Sequence, residues 1–326
     1  MLTRVKSTIA GVTLTLVLLV GLFAGTVSGA AFRLSFLDQE PVLMDTCQLL
    51  KQSGFSEDSV ATFQKLVEHH NRRGNRVDRT KFPPPHEGYY EFRDLGDLTN
   101  RLQTLLHWTP SERSLDQRTF TCFDAACLLL RGAGCRSPDF EKDLQSKGVV
   151  LSTNGPQTFR ADYYWTLFPQ PDYKYLVGKP RSETETLLLL SIRVGRCVTG
   201  PDPTSEVAWR SAFATFVKGL KDSGFVFPRT FKLGLGFYVD AKRRYFGADH
   251  AFICIPKSGR VICLEKNGCP GPYVRAEFES EEEVARYISW TMVQDAQNPK
   301  LNAYGRPVLV SLNDRVLGVY SPAIQP

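Results

Sequence analysis

Eight cysteines and five histidines hold most of the nucleophilic and proton-transfer chemistry open to this chain. Cys122 stands out by its setting. It sits in Thr121-Cys122-Phe123-Asp124, directly ahead of Ala125-Ala126-Cys127-Leu128-Leu129-Leu130 and Gly132. A threonine with an acid three residues on marks a helix entry, and Gly132 is a fitting stop. The spacing therefore predicts a helix with Cys122 in its first turn. There the free backbone N–H groups and the helix dipole favour thiolate over thiol, the form a cysteine nucleophile needs. The same N–H groups can bind a developing oxyanion, and Gln117, five residues upstream, is a candidate side-chain donor to it. A small thiol before two alanines also suits a core, so the helix alone does not decide between the two. Cys127 lies about 140° further round and belongs with the leucines, as core or disulfide partner.

The second group is a histidine with an acid. His250 opens His-Ala-Phe-Ile-Cys-Ile, residues 256–259 turn, and the returning run ends at Glu265. A hairpin centred on Lys257 and Ser258 sets His250 opposite Glu265, on one face of the sheet. A carboxylate in that position fixes the imidazole tautomer and stabilises the imidazolium. A slip of a single residue would send the two side chains to opposite faces. Asp249 and Asn267 are alternative orienters. The competing reading is a cross-strand ion pair on the surface, worth a fraction of a kcal/mol.

Elements must bring these motifs together. Residues 44–71 read as two helical pieces, with Val60, Phe63, Leu66 and Val67 at helical spacing and His69 and His70 at the end. Adjacent histidines face different ways, so they suit the negative helix terminus better than one shared metal. Residues 72–90 are basic, then proline-rich, and read as a loop. Residues 98–106 form a further amphipathic helix, and 187–192 a buried helix or strand. Residues 205–220 read as a helix through Val207, Phe213, Phe216, Val217 and Leu220. Short strand-like runs follow at 233–239, 251–255, 261–265 and 273–278. Ser280 with Glu283 is a capping box for a helix to about Val293, and a hairpin around Asn313-Asp314 closes the chain. Helices first and an antiparallel sheet later imply an α+β fold. The expected organisation is one α+β domain over 31–326, helical over 40–135 and β-rich over 225–322, with a catalytic-type helix packed on the sheet.

Composition narrows the function classes. With 42% hydrophobic and 23% charged residues the chain is of ordinary globular composition. Its net charge of +6 is spread along the chain, with no basic stripe interleaved with aromatics, which argues against nucleic-acid binding. Residues 1–30 read as a signal peptide: Arg4 and Lys6, an apolar run from Ile9 to Phe23, then Ser28-Gly29-Ala30. An uncleaved anchor through residues 9–27 is the alternative, and the only membrane contact expected. Either places the body outside the cytoplasm, where cysteines can pair. There is no Cys-x-x-Cys, and the cysteine spacings match no zinc pattern, so neither metal nor cofactor is expected.

At the two motifs the chain resembles an uncharacterised family of bacterial exported proteins, defined only as a domain of unknown function. Thr121-Cys122-Phe123 with Ala126 to Leu130 matches its cysteine motif, with Thr121 for Asn and Phe123 for Arg. His250, Gly259, Leu264-Glu265-Lys266, Pro272-Tyr273 and Phe278 match its histidine motif. The resemblance covers roughly residues 40–295, with 150–230 unmatched. The order of a helix-borne cysteine and a strand-borne histidine with an acid beside it is similar to papain-like and NlpC/P60-like hydrolases. That resemblance implies an exported cysteine hydrolase or acyltransferase acting on an amide or ester through Cys122, His250 and Glu265. Its substrate would be a peptide or a cell-envelope polymer. A non-catalytic envelope-binding module with a degenerate cleft is the other expectation.

Overall fold

In the computed structural model the described residues are 32–72, 77, 88–98, 122–132, 196–197, 202, 204–222, 225–240, 245–266, 271–295 and 307–320. The expected leader, Gln117, Asn267 and the segment 187–192 lie outside them. No helix among the described residues is long and apolar enough to cross a membrane.

The architecture is mixed helix and antiparallel sheet, as expected for α+β. One sheet takes in β1 (Phe32–Phe36), β2 (Tyr90–Phe92), β3 (Arg196–Cys197), β4 (Lys232–Asp240), β5 (Tyr245–Lys257), β6 (Arg260–Lys266), β7 (Tyr273–Phe278), β8 (Val308–Leu312) and β9 (Arg315–Tyr320). The strands run β2-β1-β7-β6-β5-β4-β8-β9, with β3 paired to the start of β5. The sheet thus joins both ends of the described chain. One of its strands, β2, comes from the region expected to hold helices, 40–135, and β1 lies just ahead of that region. Phe32-Arg-Leu-Ser-Phe36 alternates buried and half-buried residues as a strand should, but it follows the expected leader in sequence and its period is lost against that apolar run. A strand as short as β2 carries no period at all.

Among the described residues, the helices α1 (Glu40–Gln52), α2 (Glu57–Arg72), α3 (Cys122–Gly132), α4 (Glu206–Asp222) and α5 (Glu281–Asp295) sandwich the sheet. The apolar sides of α1, α2, α3 and α4 pack on one face against Leu233, Leu235, Ala251, Ile253 and Leu264. The other face, with Phe252, Cys254, Cys263, Val274 and Phe278, packs on α5 through Val284, Tyr287 and Ile288. Successive strand residues alternate between these layers, as the pleat requires. Ser280 Oγ accepts the Glu283 N–H at 3.2 Å, so the expected cap starts α5, while Glu283 Oε2 accepts the N–H of Glu279, one residue before the N-cap, at 2.9 Å.

The hairpin that carries the histidine differs in register from the expectation. Its turn is Ser258-Gly259, with φ of 51° and 78°, the two left-handed residues of a type I′ turn. Lys257 therefore closes the ladder with Arg260, and Glu265 faces Phe252 rather than His250. A glycine at the second turn position outweighs the local stop implied by Pro256. That proline is tolerated inside β5 because β4 pairs only as far as Cys254.

Candidate functional site

Three elements converge on His250. On β5 the pairing with β4 slips at this point: Gly236 faces His250 while the next residue, Phe237, faces Ala248. Asp249 is the extra residue of a β-bulge. Phe246 and Ala248 before the bulge, and Ala251 after it, all pack in the four-helix layer. The bulge changes parity between them, and His250 turns with Phe252 toward α5. Asp249 is exposed, so of the alternative orienters it is directed to solvent.

Glu265 reaches the ring on the diagonal. It opposes Phe252, two residues from His250 and on the same face, a separation long side chains span. Its Oε2 lies 2.7 Å from His250 Nε2. The expected pair is thus made through a different register, because a shift of two residues preserves the face. Tyr287 of α5 donates its hydroxyl to Glu265 Oε1 at 2.5 Å. Both carboxylate oxygens are therefore engaged in a buried setting, with Glu265 4% and Tyr287 2% exposed. No sequence signal marked Tyr287. It reads as one more apolar-face residue of α5, and only the docking of that helix brings its hydroxyl to the acid.

Two glycines of β4 shape the floor. A side chain at Gly234 would fall within 2.0 Å of the Phe252 ring, and one at Gly236 within 2.2 Å of Met292 Sδ. Their absence lets Phe252 lie flat on the sheet and stack on the imidazole, with centroids 5.9 Å apart.

Cys122 is the first residue of α3, as its spacing predicted, and its thiol is free and buried. Thr121 lies outside the described residues, as does the side chain of Asp124. The Cys122 sulfur is close enough to the His250 ring to act on the ring's charge. Since Nε2 is held by Glu265, Nδ1 is the nitrogen left for sulfur. The helix packs in one layer and His250 points to the other, yet they meet for a topological reason. On this side of β5, β6 pairs residues 252–257 and β3 pairs 245–246. Among the described residues, no strand covers the stretch between, and His250 lies in it.

Electrostatics follow from this geometry. Burial alone would lower the His250 pKa, but the Cys122 sulfur, by charge and by hydrogen bond, and then Glu265 raise it well above the usual histidine value. The arrangement favours the protonated imidazole, with the Glu265 carboxyl behind it. Cys122 and His250 are each 8% exposed, so a small part of the site meets solvent. Beneath it, between α3 and the sheet, is a void of about 10 Å³, room for a single water and no more.

The other expected polar residues separate from this site. His70 is buried at the end of α2 and edge-on to Tyr273, with centroids 5.3 Å apart. Burial and the neighbouring Lys266 push its pKa down to about 2, against a raising hydrogen bond from the backbone at Gly271. It is therefore a neutral core ring and not the cation expected at a helix terminus. Among the described residues no group of three or more His, Cys, Asp or Glu could hold a metal. Comparison with protein-family models, with curated proteins and with solved structures finds no match for the chain.

Proposed function

We propose that the chain is a cysteine hydrolase or acyltransferase of papain-like or NlpC/P60-like kind, acting on an amide or ester outside the cytoplasm. The series Cys122–His250–Glu265 carries this reading, with the sulfur acting on the ring and the carboxylate hydrogen-bonded to it. In the acylation step the Cys122 sulfur forms a bond to the substrate carbonyl carbon, and the thiol proton resides on His250. Collapse of the tetrahedral species breaks the bond to the amine or alcohol, which leaves with that proton. Water, or an acceptor nucleophile, then attacks the thioester while His250 takes its proton and returns it to sulfur. Glu265 holds the ring orientation and stabilises the imidazolium throughout. Backbone N–H groups in the first turn of α3 would be donors to the developing oxyanion, with Gln117 a candidate to join them.

Peptides and peptide-bearing envelope polymers are the amides such a protein would meet if residues 1–30 direct export. Cys122→Ala removes the nucleophile and conserves the volume of a small side chain. It is expected to abolish turnover of such a substrate while circular dichroism stays that of the parent. Normal turnover by this variant would refute the assignment. Iodoacetamide with mass mapping tests the same point without a substrate. Fast labelling of Cys122, slowed by His250→Ala, supports the enzyme; inert or disulfide-bonded Cys122 supports an envelope-binding module instead.

A further inference from the structure

We propose that Cys254 and Cys263 form a second thiol site, a dithiol that closes as a cross-strand disulfide and staples the hairpin bearing His250 and Glu265. The two residues are direct partners in the β5–β6 ladder, and both are free, at 1% and 0% exposure. Pairs alternate between hydrogen-bonded and non-hydrogen-bonded along an antiparallel ladder, and the pair closing a two-residue turn is hydrogen-bonded. Counting back from Lys257 and Arg260 puts Cys254 and Cys263 at a non-hydrogen-bonded site. Such partners have Cα atoms about 4.5 Å apart, within the roughly 4.4–6.8 Å range of disulfides. The two thiols are near enough for Cys254 to act on the charge of Cys263.

The position makes the link consequential. Phe252 and Glu265, the next non-hydrogen-bonded pair, adjoin it on the same face, and Glu265 is the acid on His250. A covalent link there holds the register on which that contact depends. Cys47 supplies the contrast: it is buried beneath α1 with its pKa raised to about 11 by burial, an ordinary core thiol.

Closure is a two-step exchange with a small-molecule disulfide. One cysteine thiolate attacks the disulfide, forming a mixed disulfide and expelling one thiol. The other cysteine attacks the mixed disulfide and expels the second. Two S–H bonds are lost and one S–S bond forms; two electrons and two protons pass to the oxidant, which leaves as two thiols. Burial raises the Cys263 pKa, with Cys254 and Glu265 adding to the effect, so attack is slow in the folded chain and fast while β5 and β6 are still open.

The test is refolding of the full chain with glutathione disulfide, followed by alkylation and peptide mapping, and it does not depend on Cys122 being a nucleophile. The expected result is a linked peptide pair containing Cys254 and Cys263, with the midpoint of unfolding about 5 °C above that of the reduced protein. Native protein in the same buffer should oxidise at least tenfold more slowly. The Cys254→Ala, Cys263→Ala double variant should lose the shift. Mapping on the parent chain decides the matter even if the variant fails to fold. Two alkylatable thiols at these positions after refolding, or linkage of either to another cysteine, would overturn the proposal.

Discussion

His250 and His70 are both enclosed by the fold, at 8% and 4% exposure, and the largest influence on each ring is loss of water. In the region around His70 the neighbours are an aromatic ring and the buried Lys266, so burial and charge act in one direction and the imidazole is neutral. Around His250 the neighbours are a sulfur and a carboxylate, which together outweigh burial. Enclosure therefore does not decide a histidine's state in this fold; the sign of the nearest charge does. It also explains why β6 can serve both regions. Glu265 and Lys266 are successive residues and point to opposite faces, one acid toward His250 and one cation toward His70.

The most direct way to break the comparison is Glu265→Gln, which keeps the shape and removes the charge. The expected outcome is a fall in kcat/KM of about 10²–10⁴-fold, the range for losing the carboxylate that backs a catalytic histidine. The His250 titration, followed by NMR, should move down toward that of a neutral buried ring. Unchanged turnover together with an unchanged titration would show that Cys122 alone sets the state of the ring.

Much of this site can be read before folding. The helix entry at Cys122 is local chemistry, carried by residues within one turn. The pairing of His250 with Glu265 is half local: alternation assigns the shared face, whereas register depends on which residues turn. Pro256 suggests an early turn, but Ser258 and Gly259 take the left-handed conformations, and the ladder moves by two residues. An error of two leaves the face intact; an error of one would have lost the pair. The bulge at Asp249 has no such signature, since Gly-Ala-Asp-His reads as plain alternation and the extra residue exists only against β4. Tyr287 and β1 are invisible for a related reason. Each acquires its role from a partner distant in sequence, Glu265 for one and β7 for the other.

Acid stability separates the two histidines by sign. The folded pKa of His70, about 2, lies below the ordinary 6.5. Its contribution to stability is present above pH 6.5 and is lost as the pH falls toward 2, at up to about 1.4 kcal/mol per unit. His250 is raised, so its contribution is full below pH 6.5 and is lost as the pH rises through its folded value. His70→Phe keeps an aromatic ring against Tyr273 and removes the titrating group. Denaturant unfolding from pH 6.5 to 4 should show a flatter acid limb for this variant, with turnover unchanged at neutral pH. An equally steep limb would mean that His70 is charged in the folded protein and that the contrast with His250 is false.

The smallest expected effect sharpens the comparison most, because it tests the acid's own support. Tyr287 packs its ring against Phe278 at 5.2 Å and Trp290 at 6.3 Å, so Tyr287→Phe retains that packing and deletes only the hydroxyl on Glu265 Oε1. One buried carboxylate oxygen then lacks its donor, at a cost of about 1–3 kcal/mol. If the hydroxyl merely stabilises the core, the loss appears in the unfolding midpoint, and the fully folded variant keeps its kcat. A positioning role predicts more: the carboxylate, held at one oxygen only, rotates away from Nε2 for part of the time. At a temperature where the variant is fully folded, kcat should fall about 5–10-fold with KM little changed. Tyr287→Ala, which empties the ring's place as well, should lose stability by a larger margin. A kcat equal to the parent's in the folded Phe variant would leave Glu265 positioned by the sheet alone.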